Sequence, residues 1–280
     1  MELQYIEDAN CRELDWFLKE SETFLKTVNE PELGFFLAES PNVIERALSG
    51  GYQPVKCLIE KKDSEELPKF LKDKAFEGIP VYSADYSILS KIRGFEMTRG
   101  AICIMKRRPL RALESVLEGV SAVAILENVM NPTNLGAIFR SAAAMGIECV
   151  LLSKGCADPL FKRAGRVSMG TVFQVPWTFV DNVPSAIDIL KSKSFLIYSL
   201  ALMKDAVSID DPQLKENEKV AMILGTEAFG ICDETIEKSD YSVIIPMQNG
   251  VDSLNVAAAS AVAFYEIMKR KPAVRKEQIK

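Results

Sequence analysis

The chain has 280 residues, 48% of them hydrophobic, which is enough for one large or two ordinary globular domains. Its formal net charge of −5 at pH 7 argues against a protein that coats nucleic acid non-specifically and leaves room only for a local basic patch. Histidine is absent, which excludes catalysis by Ser-His-Asp or Cys-His constellations.

The N-terminal part of the chain predicts a helix followed by a small α/β domain. Residues 1–20 form the predicted helix, which is acidic and amphipathic, with Leu14, Phe17 and Leu18 on its apolar face. Residues 21–108 form the predicted domain, because apolar runs alternate there with amphipathic segments. Its predicted strands are 35–38, 55–59, 80–82 and 101–104, and its predicted helices are 41–48 and 64–73. Pro109 and the basic run before it indicate a domain boundary near 106–118.

Residues 119–280 predict a larger α/β domain. Runs of four or five Val, Ile and Leu residues separated by helices indicate a parallel sheet covered on both faces. The predicted strands are 122–126, 149–152, 172–175, 195–199, 220–224 and 243–246, and the predicted helices are 135–145 and one that begins at 252–253. Residues 162–170 are predicted to be a basic loop.

Targeting signals and cysteine frameworks are not evident in the sequence. The acidic N-terminus lacks the apolar region of a signal peptide, and no apolar run reaches the ~18 residues of a membrane span. The six cysteines are scattered without a CxxC pair, so we expect reduced thiols and neither a disulfide framework nor a metal site. We therefore expect a cytoplasmic protein without a membrane partner.

Two segments place polar residues between a buried strand and a helix. In residues 127–146, Asn134 is a candidate helix cap, and Arg140 lies about one and two-thirds turns further along the same helix. In residues 222–231, a buried strand ends at Gly225 and Glu227 follows in the loop. An ordinary capped helix with a solvated side chain would explain either segment alone.

A third segment, residues 243–268, repeats this plan with Ser253 and Asn255 at the start of its Ala-rich helix. Free backbone N–H groups point outward where a parallel strand ends and a helix begins, which is where open α/β sheets bind ligands. Three such loops after three strands of one sheet therefore predict a single ligand site.

The basic loop carries Lys162, Arg163 and Arg166 together with two glycines, which favours contact with phosphate groups; a solvated loop is the alternative. The run 106–108 is more typical of a solvated linker. The sequence contains no GxGxxG, GxxxxGK[ST] or GxSxG motif, so dinucleotide binding of the Rossmann type, P-loop phosphoryl transfer and nucleophile-elbow hydrolysis lose their main support.

The three polar loops resemble motifs 1, 2 and 3 of the SpoU/TrmH family of RNA ribose 2′-O-methyltransferases, within the SPOUT superfamily. The matching residues are Asn131-Pro132-x-Asn134-x-Gly136-x-x-x-Arg140, Leu224-Gly225-Thr226-Glu227-x-x-Gly230 and Ile245-Pro246-Met247-x-x-Gly250-x-x-Ser253-Leu254-Asn255-Val256. Order and spacing agree across residues 121–270. Residues 22–105 look like the family's N-terminal substrate-binding domain, whereas residues 1–20 fall outside the resemblance.

The resemblance implies a trefoil-knotted C-terminal domain, a homodimer, and S-adenosylmethionine held in the knot. By position, Gly225, Ile245 and Leu254 match the family's cofactor-contacting residues. The family's catalytic positions fall on the following residues of this chain: Asn134, Arg140, Glu227, Ser253 and Asn255.

Arg140 matches the residue proposed in the family to deprotonate the ribose 2′-hydroxyl. Because arginine normally stays protonated, with a pKa above ~12, this cation could equally position a phosphate and stabilise the developing alkoxide. Glu227 would support the loops, while Ser253 and Asn255 would hold the helix start and orient Arg140.

The predicted function is methylation of a ribose 2′-hydroxyl, with ribosomal RNA favoured over transfer RNA as the partner. Two alternatives stay open: an RNA-binding protein of the same fold without catalysis, and a small-molecule methyltransferase that uses the same pocket. The chain departs from many relatives in its acidic charge, since residues 1–110 hold 16 basic against 19 acidic side chains.

Overall fold

The computed structural model describes residues 2–8, 11–18, 22–27, 34–64, 67–90, 100–226 and 230–269. The strands are β1 (Glu2–Ile6), β2 (Phe35–Glu39), β3 (Pro54–Glu60), β4 (Pro80–Ala84), β5 (Ala101–Lys106), β6 (Ala122–Leu126), β7 (Cys149–Ser153), β8 (Trp177–Val180), β9 (Leu196–Leu200), β10 (Val207–Ser208), β11 (Val220–Leu224) and β12 (Tyr241–Ile244). The α-helices are α1 (Asp15–Leu18), α2 (Glu22–Thr27), α3 (Pro41–Ser49), α4 (Tyr86–Leu89), α5 (Leu113–Val116), α6 (Pro132–Met145), α7 (Lys162–Val167), α8 (Val183–Ser192), α9 (Asp233–Lys238) and α10 (Val256–Ile267).

The chain forms two compact units, and the first combines Met1–Pro109 with Pro159–Gln174. Its five-stranded sheet has the order β1-β4-β3-β5-β2, in which β5 runs antiparallel to both of its neighbours. The apolar strands β2 and β5 are buried along most of their length. Helix α3 begins at Pro41, a residue suited to the first helical position because its missing N–H would have no partner there.

The prediction of one helix over residues 1–20 is wrong. Residues 2–6 form β1, which extends the sheet by pairing in parallel with β4. Tyr5 and Ile6 favour an extended chain, and the free edge of β4 supplies backbone hydrogen bonds that a local pattern does not reveal. Only α1 is α-helical within residues 11–18, and its neighbourhood buries Leu14 and Phe17, as the apolar pattern indicated.

Two further elements of the first unit differ from their predictions. The predicted helix 64–73 is replaced, within the described residues, by 3₁₀ turns at Lys61–Ser64 and Lys69–Lys72, because Pro68 interrupts helical hydrogen bonding. The predicted basic loop 162–170 instead contains α7, whose Lys, Arg and Ala residues are good helix formers.

The second unit combines Leu110–Asp158 with Val175–Lys280 around a seven-stranded, wholly parallel sheet. The strand order is β10-β12-β9-β11-β6-β7-β8. This confirms the predicted α/β fold with a parallel sheet, and β6 and β11 have the predicted bounds. The predicted strand 172–175 is wrong: residues 171–173 form a 3₁₀ turn, and β8 begins after Pro176, which has no N–H for strand pairing.

The strand order reverses between β6 and β11. From β6 the sheet continues through β7 to β8 on one side and through β11, β9 and β12 on the other. Ligands of open α/β sheets bind beyond the carboxyl ends of the strands at such a reversal. Among the described residues, no helix is both long and apolar enough to cross a lipid bilayer.

Candidate functional site

A cavity of about 400 Å³ opens at the carboxyl ends of β9, β11 and β12 in the second unit. Gly225, Ile245 and Leu254, which the sequence selected as cofactor contacts, all line it, and so does Ser253. Most of the other lining groups are apolar side chains or strand-end backbone. The sheet therefore brings two of the three polar loops, those after β11 and β12, to one cavity.

The loop after β11 closes on itself within a few residues. Thr226 donates its backbone N–H to the Gly230 carbonyl at 3.1 Å, and Gly230 returns a bond to the Thr226 carbonyl at 2.8 Å. A Cβ atom on Gly225 would lie 2.2 Å from the Gly230 carbonyl oxygen, so the close backbone approach requires glycine there. The predicted catalytic residue Glu227 lies outside the described residues.

The segment between β12 and α10 is irregular and ends in a helix cap. Asn249 and Gly250 have φ angles of 57° and 71°, and Val251 donates its N–H to the Gln248 carbonyl at 3.2 Å. Helix α10 begins at Val256, later than the predicted start at 252–253. The reason is that the Asn255 side chain caps the helix by accepting the Ala257 N–H at 2.9 Å.

Helices α6 and α10 pack together, which brings two predicted catalytic residues into contact. Asn255 donates its side-chain amide to the Asn134 carbonyl oxygen at 3.3 Å. The prediction that Asn134 caps α6 is wrong. Asn131 caps the helix instead, by accepting the Thr133 N–H at 2.8 Å. The helix thus begins one turn earlier than predicted, because Pro132 can occupy its first position.

Arg140 does not line the cavity. It is exposed on α6, and it makes no hydrogen bond or ion pair with any residue that the structure describes. Its guanidinium is therefore available to a group outside this chain.

The sequence did not single out Glu127, a buried residue that connects the ends of β6 and β11 to the start of α9. Its side chain is only 5% exposed and accepts the Cys232 N–H and the Thr235 hydroxyl, each at 3.2 Å. Its own N–H donates to the Leu224 carbonyl at 2.9 Å. Glu127 therefore ties the ends of β6 and β11 to the start of α9. The available signal was an acidic residue placed directly after a wholly apolar strand.

Burial makes two thiols of the second unit, those of Cys149 and Cys156, poor nucleophiles. Burial raises the pKa of Cys149 to about 12. Burial also raises the pKa of Cys156, whose Sγ atom donates to the Leu126 carbonyl at 3.1 Å. Since the thiolate is the reactive form, the geometry does not favour covalent catalysis by either cysteine.

The three predicted RNA contacts, Lys162, Arg163 and Arg166, belong to α7 in the first unit. Arg163 is exposed, whereas Lys162 is half-buried. Arg166 lies 3.6 Å from the carboxylate of Glu39, a residue that is 6% exposed. Part of this basic group thus holds α7 against the end of β2, although Arg166 is exposed, as Arg163 is.

Comparison of the chain with known proteins identifies related sequences. Residues 121–265 match the model of the SpoU rRNA Methylase family. A Mycobacterium bovis protein named as an uncharacterized tRNA/rRNA methyltransferase is 35% identical over 82% of this chain and 79% of its own length. The Bacillus subtilis 23S rRNA (guanosine(2553)-2′-O)-methyltransferase RlmP is 30% identical over 83% of this chain and 88% of its own length.

The fold has relatives among solved structures as well. The AdoMet-bound rRNA methyltransferase of Sinorhizobium meliloti superposes with a TM-score of 0.76, covering 95% of this chain and 98% of its own, at 21% identity. At this identity the likeness concerns the fold alone, and it agrees with the sequence matches. The chain belongs to the SpoU rRNA methylase family.

Proposed function

We propose that this chain transfers a methyl group from S-adenosylmethionine to a ribose 2′-hydroxyl of RNA. The observation that carries the proposal is that Gly225, Ile245 and Leu254 line one cavity. This cavity lies at the carboxyl ends of the strands, beside the point between β6 and β11 where the strand order reverses. Membership of the SpoU rRNA methylase family supports the same reaction. The names of the Bacillus subtilis and Mycobacterium bovis relatives support ribosomal RNA as the first substrate to test and transfer RNA as the second.

The cavity fits the cofactor in size and in lining. Its volume of about 400 Å³ lies within the range of ~300–1,000 Å³ that is typical of small-molecule sites. Apolar side chains such as Ile245 and Leu254 suit an adenine ring, and strand-end backbone groups near Gly225 suit its polar edge. When bound, S-adenosylmethionine supplies an electrophilic methyl group on a positively charged sulfur.

The residues of the chain contribute by positioning the ribose and stabilising charge on its oxygen. A ribose hydroxyl is a weak acid, so the transition state needs a base or a fixed positive charge beside the 2′-oxygen. In a chain without histidine we assign this role to the guanidinium of Arg140, as a source of positive charge. Asn134 and Asn255 would fix the two helix starts relative to each other, with Ser253 beside them and Glu227 supporting the loop after β11.

Substitution of Arg140 tests this assignment. Arg140→Ala should lower the single-turnover rate about 10²–10³-fold on a verified RNA substrate while leaving cofactor affinity within a few-fold. Arg140→Lys keeps the charge, so substantial rescue would favour electrostatic positioning, whereas no rescue would favour the planar guanidinium as a base or bidentate clamp. Near-normal turnover of Arg140→Ala would remove Arg140 from the mechanism.

The active form is proposed to be a homodimer of trefoil-knotted C-terminal domains. Val262 and Tyr265, three residues apart on α10, are 40% and 56% exposed, and this pairing of apolar side chains on one helix supports an interface there. Arg140, exposed on the neighbouring α6, would then reach the cavity of the partner subunit. Sedimentation at micromolar concentration should give twice the 31.1 kDa chain mass.

A matched pair of variants locates this interface. Tyr265→Glu should yield a monomer, whereas Tyr86→Glu, which alters a tyrosine that is 50% exposed in the first unit, should leave the dimer intact. A monomeric wild-type chain would contradict the dimer proposal.

The first compact unit, which includes both β1 and α7, is proposed to hold the RNA, and the protein is proposed to act in the cytoplasm. Exposure of Arg163 supports its role as a phosphate contact. Arg163→Glu should raise KM for RNA several-fold and leave cofactor affinity unchanged. The control is Lys72→Glu, an equal charge change on an exposed lysine of the first unit, which should have a smaller effect.

A further inference from the structure

The described lining of the cavity contains a single ionisable side chain, that of Asp252. The other described lining residues contribute apolar side chains, backbone and two hydroxyl groups, those of Thr226 and Ser253. Within the described part of the chain, Asp252 makes no hydrogen bond or ion pair, and it is exposed. Its negative charge is thus unused by the protein and available to a ligand.

The backbone around Asp252 is held on both sides. On the N-terminal side, the turn from Gln248 to Val251 closes with a 3.2 Å backbone bond. On the C-terminal side, Ser253 and Leu254 also line the cavity, and Asn255 fixes the first turn of α10. Asp252 therefore lines the cavity from a segment that is held on both sides.

A lone carboxylate in the cavity attracts the methyl donor and the reaction product to different extents, because the two differ in charge. S-adenosylmethionine carries a positively charged sulfonium, whereas S-adenosylhomocysteine, left after methyl transfer, has a neutral thioether and lacks only the transferred methyl group. We propose that Asp252 makes the cavity prefer the charged methyl donor over the uncharged product. This inference rests on the proposed function, and it would favour both cofactor loading and product release.

The size of the effect follows from Coulomb's law. Two unit charges roughly 6 Å apart in surroundings between bulk water and a protein surface attract strongly enough to change a binding constant by about three- to tenfold. The interaction at this exposed position should weaken as salt is raised, because the Debye length falls to ~3 Å at 1 M ionic strength.

Calorimetric titration with three ligands tests the proposal. The ligands are S-adenosylmethionine, S-adenosylhomocysteine, and sinefungin, in which a protonated amine takes the place of the methylsulfonium group. Asp252→Asn preserves shape and removes the charge. It should weaken binding of the two charged ligands about three- to tenfold and change S-adenosylhomocysteine binding by less than about twofold. Asp233→Asn removes an exposed charge outside the lining and should alter none of the three.

The possible results separate this inference from the function on which it rests. Equal weakening of all three ligands would overturn it, because the carboxylate would then serve their shared amino-acid portion or the loop itself. Unchanged affinities in Asp252→Asn would overturn it as well, while leaving the cofactor assignment intact. Failure of the wild-type protein to bind any of the three would overturn the proposed function and this inference together.

Discussion

The buried carboxylate of Glu127 should be a principal support of the site. Glu127→Ala removes two hydrogen bonds to a charged acceptor, from the Cys232 N–H and the hydroxyl of Thr235, a residue with 0% exposure. Hydrogen bonds to charged groups contribute about 1.5–3 kcal/mol each, and the buried Thr235 hydroxyl would keep only the Cys232 Sγ atom as a partner, 3.0 Å away. Relief from burying a carboxylate offsets part of this loss. We expect the free energy of unfolding to fall by about 3 kcal/mol.

Urea unfolding followed by tryptophan fluorescence measures this change, because Trp177 lies in the second unit. Glu118→Ala, which alters an exposed glutamate of the same unit, should change stability by less than about 0.5 kcal/mol. Ile231 and Ile236 line the cavity close to the lost bonds, so cofactor affinity should fall as well. A Glu127→Ala protein as stable as the Glu118→Ala control would refute the reasoning.

Three further outcomes are expected. Ser40 has φ 84° and ψ 148°, a conformation nearly restricted to glycine that costs about 1–3 kcal/mol; Ser40→Gly should therefore raise the calorimetric Tm, and an unchanged or lower Tm would contradict the strain. Gly225→Ala should reduce stability and cofactor affinity together, because its Cβ would meet the Gly230 carbonyl at 2.2 Å; a fully stable variant with normal affinity would show that the loop is built differently. Hydrogen bonds from Lys215 and Lys269 hold the pKa of Glu266 below its ordinary value. The stability that the Glu266 carboxylate contributes is therefore present at neutral pH and lost as pH falls from ~4.3 through the lowered pKa. If Glu266→Gln lowered the free energy of unfolding in urea equally at pH 7 and at pH 3, this expectation would be contradicted.

The sequence predicted best those elements that are specified locally. Strands β6 and β11 have their predicted bounds because each is a continuous run of apolar residues at the centre of a parallel sheet. Strand β1 was missed because its partner β4 lies far along the chain. Helix α7 was missed because glycine and arginine residues suggested a loop, although the helix packs against β2 in the first unit.

The sequence predicted some residues of the candidate site and missed others. The motif resemblance selected Gly225, Ile245 and Leu254, which line one cavity, although their cofactor contacts stay a prediction. The role of Glu127 could not be predicted, because a carboxylate after a strand becomes a buried acceptor only when a helix about a hundred residues later supplies the donors. The sequence offered several polar residues before α10, and it did not show that Asn255 would be the cap. Asn255 also donates to Asn134 on α6, a contact that depends on how α6 and α10 pack together.

The most direct test of the account locates the methyl group on the RNA. Purified protein would be incubated with S-adenosylmethionine labelled in its methyl group and with unmodified ribosomal RNA, and the RNA would then be digested with alkali. Alkaline cleavage requires a free 2′-hydroxyl, so a ribose 2′-O-methyl group protects the adjoining phosphodiester bond. We predict that the label is recovered in alkali-resistant dinucleotides and is lost with Arg140→Ala. Label in single nucleotides, or no transfer to ribosomal or transfer RNA, would contradict the proposed function.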